Sequence, residues 1–206
     1  MPPLLPHSPK GVIFDCDGVL ISSFDSTRYY FNRILAAVGR PPMTPEQERY
    51  CFVASTAESI RAIVPPERLD DAFAEEARIT AADLIPRMSV MDGLVAYLDH
   101  LERRGVPRAV LTNGGSEARS VLRGLDLLHR FQMVVTAHDV SAPKPDPEGA
   151  LRILSALDLA PADAIYIGDS DRDQLTAQAA RVPFVAFRNP VLPADRHIGG
   201  FDDLAA

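Results

Sequence analysis

The sequence predicts an α/β fold in which a parallel sheet, wrapped on both faces by helices, is interrupted near its start by an all-helical insert. Three observations carry that prediction. Short apolar runs of strand character alternate with segments of helical period from residue 93 to residue 187, the pattern of strand–helix–strand units that builds a parallel sheet. Residues 23–88 hold helix signals and no strand pattern. Several of the apolar runs end directly in a carboxylate or hydroxyl residue, and in such sheets ligands bind outside the carboxyl ends of the strands.

A chain of 206 residues accommodates one core, or a core with a small second unit. With 47% hydrophobic and 24% charged residues the composition is that of an ordinary globular protein. A net charge of −7 argues against nucleic acid and anionic membranes as partners. No apolar run approaches the roughly 20 residues of a membrane span, and the proline-broken start lacks a signal peptide's continuous apolar stretch. Cys16 and Cys51 make no disulfide framework. The expected location is the cytoplasm.

Residues 1–10 read as an irregular lead-in, followed by a strand at 11–15. Val12-Ile13-Phe14 has the β-branched and aromatic content of a short buried strand, and it runs straight into Asp15-Cys16-Asp17-Gly18. In extended chain, residues i and i+2 point to the same side, so Asp15 and Asp17 share one site while Cys16 points away as a core residue. Gly18 lets the backbone turn sharply and leaves room for a ligand or ion. Two like charges this close repel unless a cation sits between them or one takes a proton. Taken alone, the stretch also reads as an aspartate-rich turn closing a strand.

From Ser23 the period becomes helical, with Tyr29, Tyr30, Ile34, Leu35 and Val38 recurring until Gly39 stops the run. Thr44-Pro45-Glu46-Gln47 and Ser55-Thr56-Ala57-Glu58 carry capping-box patterns. Residues 67–85 are rich in Ala, Glu, Arg and Leu, which favour helix. Beyond the insert, helices are expected at 93–104, 116–125, 147–157 and 175–181, and strands at 108–111, 133–136, 164–167 and 184–187.

The strand-end rule assembles the candidate site. Asp15 and Asp17, Thr112, and Asp169 each follow an apolar strand directly, and a parallel sheet brings such ends to one edge. Lys144 lies between Pro143 and Pro145, on stiff backbone that limits the orientations of its side chain. Several carboxylates, one hydroxyl and one lysine suit a hard divalent cation and a phosphoryl group. Asp169-Ser170-Asp171-Arg172-Asp173 imitates the start of a calcium loop, but Gln174 and Ala180 stand where that loop needs glycine and glutamate. Asp171 and Asp173 also read as favourable charges at a helix start. His7, His100, His129, His138 and His197 show no ligand spacing.

In this order the residues resemble the four motifs of the haloacid dehalogenase superfamily phosphatases. Asp15-Cys16-Asp17-Gly18 is similar to the first motif, Thr112 to the second, Lys144 to the third, and Gly168-Asp169 with Asp173 to the fourth. The likeness covers essentially the whole core, and the insert lies where the phosphoglycolate phosphatase and β-phosphoglucomutase branch carries a helical cap. The resemblance implies a Rossmann-like three-layer core of residues 1–22 and 89–206 and an all-helical cap of residues 23–88. It implies hydrolysis of a small phosphorylated metabolite through an aspartyl-phosphate on Asp15, with Asp17 as general acid and base. Mg2+ is then held by Asp15, Asp169 and the backbone carbonyl at Asp17, the phosphoryl group is bound by Thr112, Asn113 and Lys144, and Gly18 and Asp173 support the site.

A monomer or weak dimer is expected. The alternatives are a phosphomutase, a true dehalogenase, against which Asp17 speaks, and a non-catalytic phosphate-binding regulator. Family mutases carry a cap histidine where Thr27 stands and a cap arginine near Thr56, which favours phosphate release over isomerisation. Arg28, Tyr29, Tyr30, Arg61, Arg78 and Arg87 either reach the substrate or lie on ordinary helix faces, and for each the second reading is the stronger.

Overall fold

A computed structural model describes residues 9–204 of the chain. Residues 1–8 of the expected lead-in, His7 among them, lie outside the described residues. Strand β1 (Gly11–Phe14) leads through a tight loop to the two-residue β2 (Ile21–Ser22), and the helical insert follows as α1 (Phe24–Ala37), α2 (Pro45–Val53), α3 (Thr56–Ile63), α4 (Leu69–Glu76) and α5 (Ala81–Leu84). The chain returns at β3 (Ser89–Val90). It then alternates through α6 (Leu94–Arg103), β4 (Arg108–Leu111), α7 (Ala118–Gly124), β5 (Met133–Val135), α8 (Glu148–Ala156), β6 (Ala164–Gly168), α9 (Asp171–Ala180), β7 (Phe184–Phe187) and β8 (Arg196–Ile198).

Six strands form one parallel sheet in the order β5-β4-β1-β6-β7-β8. Every strand but β8 is continuously apolar or nearly so because both faces are covered, and alternate side chains enter different cores. Val12 and Phe14 join one cluster with Val110, Ile165, Ile167, Val185 and Phe187. Ile13 joins the other with Ala109, Leu111, Tyr166 and Ala186, packed under Ile153 and Leu154 of α8 and Ala177 of α9. The first cluster runs on into the insert through Tyr30, Ile34, Leu35 and Ile60. Phe14 is fully buried in edge contact with Tyr97 and Phe131, a burial that stabilises by about 2–3 kcal/mol.

Both capping boxes form: the Thr44 hydroxyl accepts from Gln47 N at 3.3 Å and the Ser55 hydroxyl from Glu58 N at 3.4 Å. The helix-favouring stretch 67–85 forms two α-helices, because the Asp83 carboxylate accepts the Thr80 N–H and hydroxyl, both at 2.9 Å, and starts a new helix. Helix α9 begins at Asp171, four residues earlier than expected, because Ser170 caps it through Asp173 N at 3.3 Å. Two further elements are absent from the sequence reading. Strand β8 closes the sheet edge, and β2 pairs antiparallel with β3 where the chain enters and leaves the insert.

Candidate active site

The central position in the sheet belongs to β1, between β4 and β6, so its carboxyl end is flanked by the ends of both neighbours. The Asp15 N–H still donates to the Ile167 carbonyl at 2.9 Å, and the Thr112 N–H to Val135 at 3.0 Å. Each side chain therefore leaves the sheet at the last rung of the ladder. Beyond β6, Asp169 is held through its own carbonyl, which accepts from Asn189 Nδ2 at 2.7 Å. Cys16 is buried in the apolar cluster.

Lys144 reaches this edge from the loop after β5. Its Nζ donates to Asp15 Oδ1 at 2.7 Å and to Asp173 Oδ1 at 2.6 Å, with all three side chains buried. Burial alone would lower the lysine's pKa, but Asp15 and Asp173 outweigh it and hold the ammonium charged. Asp173 accepts on both oxygens: Oδ1 also takes the Tyr166 hydroxyl at 3.0 Å, and Oδ2 takes the Ser170 N–H at 3.1 Å and hydroxyl at 2.5 Å. Burial pushes its carboxyl up, yet Lys144 and these donors keep it below the usual carboxylate range.

The remaining carboxyls are pushed the other way. Burial raises Asp15, Asp173 and Asp169 add to the rise, and Lys144 opposes it. Burial raises Asp17, with the Lys144 ammonium pulling it back. Asp169 is pushed up to about 7 by burial and by Asp173. One oxygen each of Asp15, Asp169 and Asp173 lie within 4.8 Å of one another. Asp173 is already saturated, whereas no side-chain donor reaches Asp15 Oδ2 or the Asp169 carboxylate among the described residues. Gly18, at φ +80°, makes the arrangement fit: a Cβ there would lie 2.1 Å from Asp169 Oδ2. These hard oxygen donors, short of positive charge, fit a divalent cation such as Mg2+.

Above the edge lies a cavity of about 90 Å³. Its floor is Asp15, Asp17, Thr112, Lys144 and Asp169, and its roof comes from the insert, with Thr27, Tyr30, Phe31, Phe52, Thr56 and Leu84.

The family profile described as haloacid dehalogenase-like hydrolase matches residues 12–187 of the chain. The chain belongs to the haloacid dehalogenase-like hydrolases. Among hydrolases of this kind it is 31% identical to a phosphoglycolate phosphatase from Rhodospirillum rubrum, over 96% of this chain and 89% of the relative. It is 32% identical to the validoxylamine A 7'-phosphate phosphatase of Streptomyces hygroscopicus subsp. limoneus, over 84% and 83%. Among solved structures, a HAD-superfamily hydrolase of subfamily IA, variant 1, from Geobacter sulfurreducens superposes with a TM-score of 0.83 at 34% identity, covering 96% of this chain and 98% of that one.

Within this haloacid dehalogenase-like hydrolase, Asp15, Asp17, Thr112, Asn113, Lys144 and Asp169 all line the one cavity, and Gly18 and Asp173 lie against them. Asn113 differs in how it serves. Its amide clamps the Lys144 backbone, Oδ1 accepting from Lys144 N at 2.9 Å and Nδ2 donating to Lys144 O at 3.0 Å, so only its backbone N–H is left to face a phosphoryl group. Asp171 is exposed at the start of α9, away from the cluster, as a helix-start charge. The roof arginines turn elsewhere: Arg28 pairs with Glu48 at 2.8 Å, Arg78 pairs with Glu75 at 3.3 Å, and Arg61 and Arg87 lie over Phe73 and Tyr29. Of the six insert residues weighed as substrate contacts, Arg28, Tyr29, Tyr30, Arg61, Arg78 and Arg87, Tyr30 alone lines the cavity, and Thr27 and Thr56 line it beside Tyr30.

Sequence reasoning missed Tyr166, Glu117, and the Arg172–Glu58 ion pair at 3.1 Å that joins α9 to α3. Tyr166 was legible only as one more apolar residue of a strand. Nothing in the local sequence marks the other two.

Proposed function

We propose that this hydrolase is a Mg2+-dependent phosphatase that hydrolyses a small phosphorylated metabolite through an aspartyl-phosphate on Asp15, with residues 23–88 acting as a cap over the site. The observation that carries the reading is the pairing of Asp15 with Lys144 at 2.7 Å beside a second carboxyl, Asp17, pushed upward by burial. The phosphatases named above, at 31% and 32% identity, support it.

In this reading an Asp15 carboxylate oxygen attacks phosphorus, and the bond from phosphorus to the alkyl oxygen breaks. Asp17, whose carboxyl burial pushes upward, acts as the general acid and gives its proton to the departing oxygen. The resulting Asp17 carboxylate then takes a proton from water as that water attacks phosphorus and frees Asp15. Lys144 and the N–H groups of the loop after β4 bind the charge spread over the phosphoryl oxygens. Asp15, Asp169 and the Asp17 carbonyl would hold Mg2+, which would supply positive charge to offset the repulsion between a carboxylate nucleophile and a phosphate. Asp173 and Tyr166 fix the Lys144 ammonium.

Thr27 and Thr56 both face the cavity. Neither can handle a proton near neutral pH or hold a second phosphate, which supports release to water over return to the substrate.

The test is phosphate release from a panel of phosphomonoesters with Mg2+, with EDTA, and with beryllium fluoride. Activity that needs Mg2+, is lost in Asp15→Asn, and is inhibited by beryllium fluoride is expected. Full turnover in a chelated sample would remove the metal, and full turnover by Asp15→Asn would remove the covalent route.

A further inference from the structure

The roof of the cavity carries no positive charge. Among the described residues its wall holds one cation, Lys144, and that ammonium is already shared between Asp15 and Asp173. The arginines of the insert that a substrate anion would use are held at its outer faces. What the wall offers instead is an acid, Glu117, and hydroxyls of the insert, Tyr30 and Thr56 among them.

Glu117 enters no ion pair among the described residues, and its carboxyl is pushed up by burial and by its neighbours Glu76 and Asp17. In either protonation state it brings hydrogen-bonding oxygens and no positive charge. The Tyr30 hydroxyl donates to Glu76 Oε1 at 3.1 Å. With its proton spent there, its oxygen is left to accept. Such a wall calls for donors on the ligand, and a second anion there would meet Glu117 with no cation of the roof to neutralise it.

We infer that the substrate is a phosphomonoester whose organic part is uncharged and hydroxylated, a polyol phosphate rather than a phosphorylated carboxylic acid, and that Glu117 with Tyr30 sets this choice. The inference rests on the phosphatase reading and narrows it. The small cavity adds a size limit, since about 90 Å³ has to take the phosphoryl group as well as the organic part.

A matched pair of esters tests it. Glycerol 3-phosphate and 3-phosphoglycerate differ at one end, where a CH2OH in the first is a carboxylate in the second. With Mg2+ present, kcat/KM is expected to favour glycerol 3-phosphate by about tenfold or more, a modest value for like charges in a half-buried site. In Glu117→Gln the ratio should fall toward one, chiefly through a lower KM for 3-phosphoglycerate, a change that a merely structural role would not produce. Equal or better turnover of 3-phosphoglycerate by the unaltered protein would overturn the inference while leaving the phosphatase reading standing. An unchanged ratio in folded Glu117→Gln would overturn the role of Glu117. If that variant fails to fold, the ratio in the unaltered protein still decides the substrate class. p-Nitrophenyl phosphate separates the two levels, because no release from it or from either ester would bring down the phosphatase reading and this inference together.

Discussion

Gly18→Ala should damage the site more than the fold. The new methyl would stand 2.1 Å from Asp169 Oδ2 and 2.9 Å from its Cγ. Non-bonded carbon and oxygen keep at least about 3 Å apart, so the Asp169 carboxylate must retreat by about 1 Å. The φ of +80° adds about 1 kcal/mol of strain for a residue with a Cβ. A displacement of about 1 Å in a positioning group costs about 10²-fold in rate, or about 2.7 kcal/mol in the barrier. Turnover of p-nitrophenyl phosphate as a function of Mg2+ concentration reads the first effect, and urea unfolding reads the second. The expected result is a kcat reduced about a hundredfold, a higher Mg2+ requirement and a stability loss near 1 kcal/mol. A variant within threefold of the unaltered protein in kcat, with the same Mg2+ half-saturation, would refute the claim that Gly18 exists to make room for Asp169.

Asp17→Asn should lower release from alkyl phosphates by about 10² to 10⁴-fold, and less for p-nitrophenyl phosphate, whose leaving group needs no proton; near-normal turnover of an alkyl ester would dismiss the general acid. Asp173→Asn removes a charge that receives four hydrogen bonds and should cost about 3 kcal/mol in urea unfolding, together with at least about tenfold in kcat as Lys144 loses one of its two anchors. Unchanged stability would show that the buried ammonium does not need it. Asp139 accepts from the Thr136 N–H at 2.8 Å and from Arg119 at 2.7 Å, and these bonds hold its carboxyl below the ordinary value of 3.8 although burial pushes upward. A depressed carboxyl stabilises the fold above its unfolded pKa and loses that contribution as pH falls below about 3.8. Asp139→Asn should therefore cost about 1 kcal/mol at pH 6, discounted for the partial exposure of the Arg119 pair, and the gap should narrow by pH 3. A gap that does not change with pH would mean that the charge of Asp139 contributes nothing.

The legible part of this protein is the part written in local pattern. Val12-Ile13-Phe14 and its counterparts at 108–111, 164–167 and 184–187 are short apolar runs whose length and boundaries mark them as strands, and both capping boxes obey a three-residue rule. Once the strands were placed, the edge rule gathered Asp15, Thr112 and Asp169 without further help. What escaped depends on contacts distant in sequence. The β2–β3 ladder has two residues a side, too few to carry a period, and β8 is half exposed and charged. Residues 67–85 have helix-favouring composition throughout, and only the local competition from Thr80 and Asp83 breaks them. Glu117 lies five residues beyond Thr112 and reads as a helix-start acid until the insert folds over it.

The floor of the cavity holds three carboxyls, Asp15, Asp17 and Asp169, and its one ammonium, Lys144, is shared with a fourth, the fully buried Asp173. By charge alone it repels the doubly negative group it is shaped to receive. In the proposed reading a phosphate and a divalent cation are therefore each other's condition for entry, each relieving the charge that keeps the other from settling. Thermodynamic reciprocity then makes the exchange symmetric: whatever factor the cation adds to the affinity for the ester, the ester adds to the affinity for the cation. Selection for tight phosphate capture and selection for tight metal capture thus share one coupling free energy, and a substitution on that floor that weakens the coupling weakens both captures by the same factor.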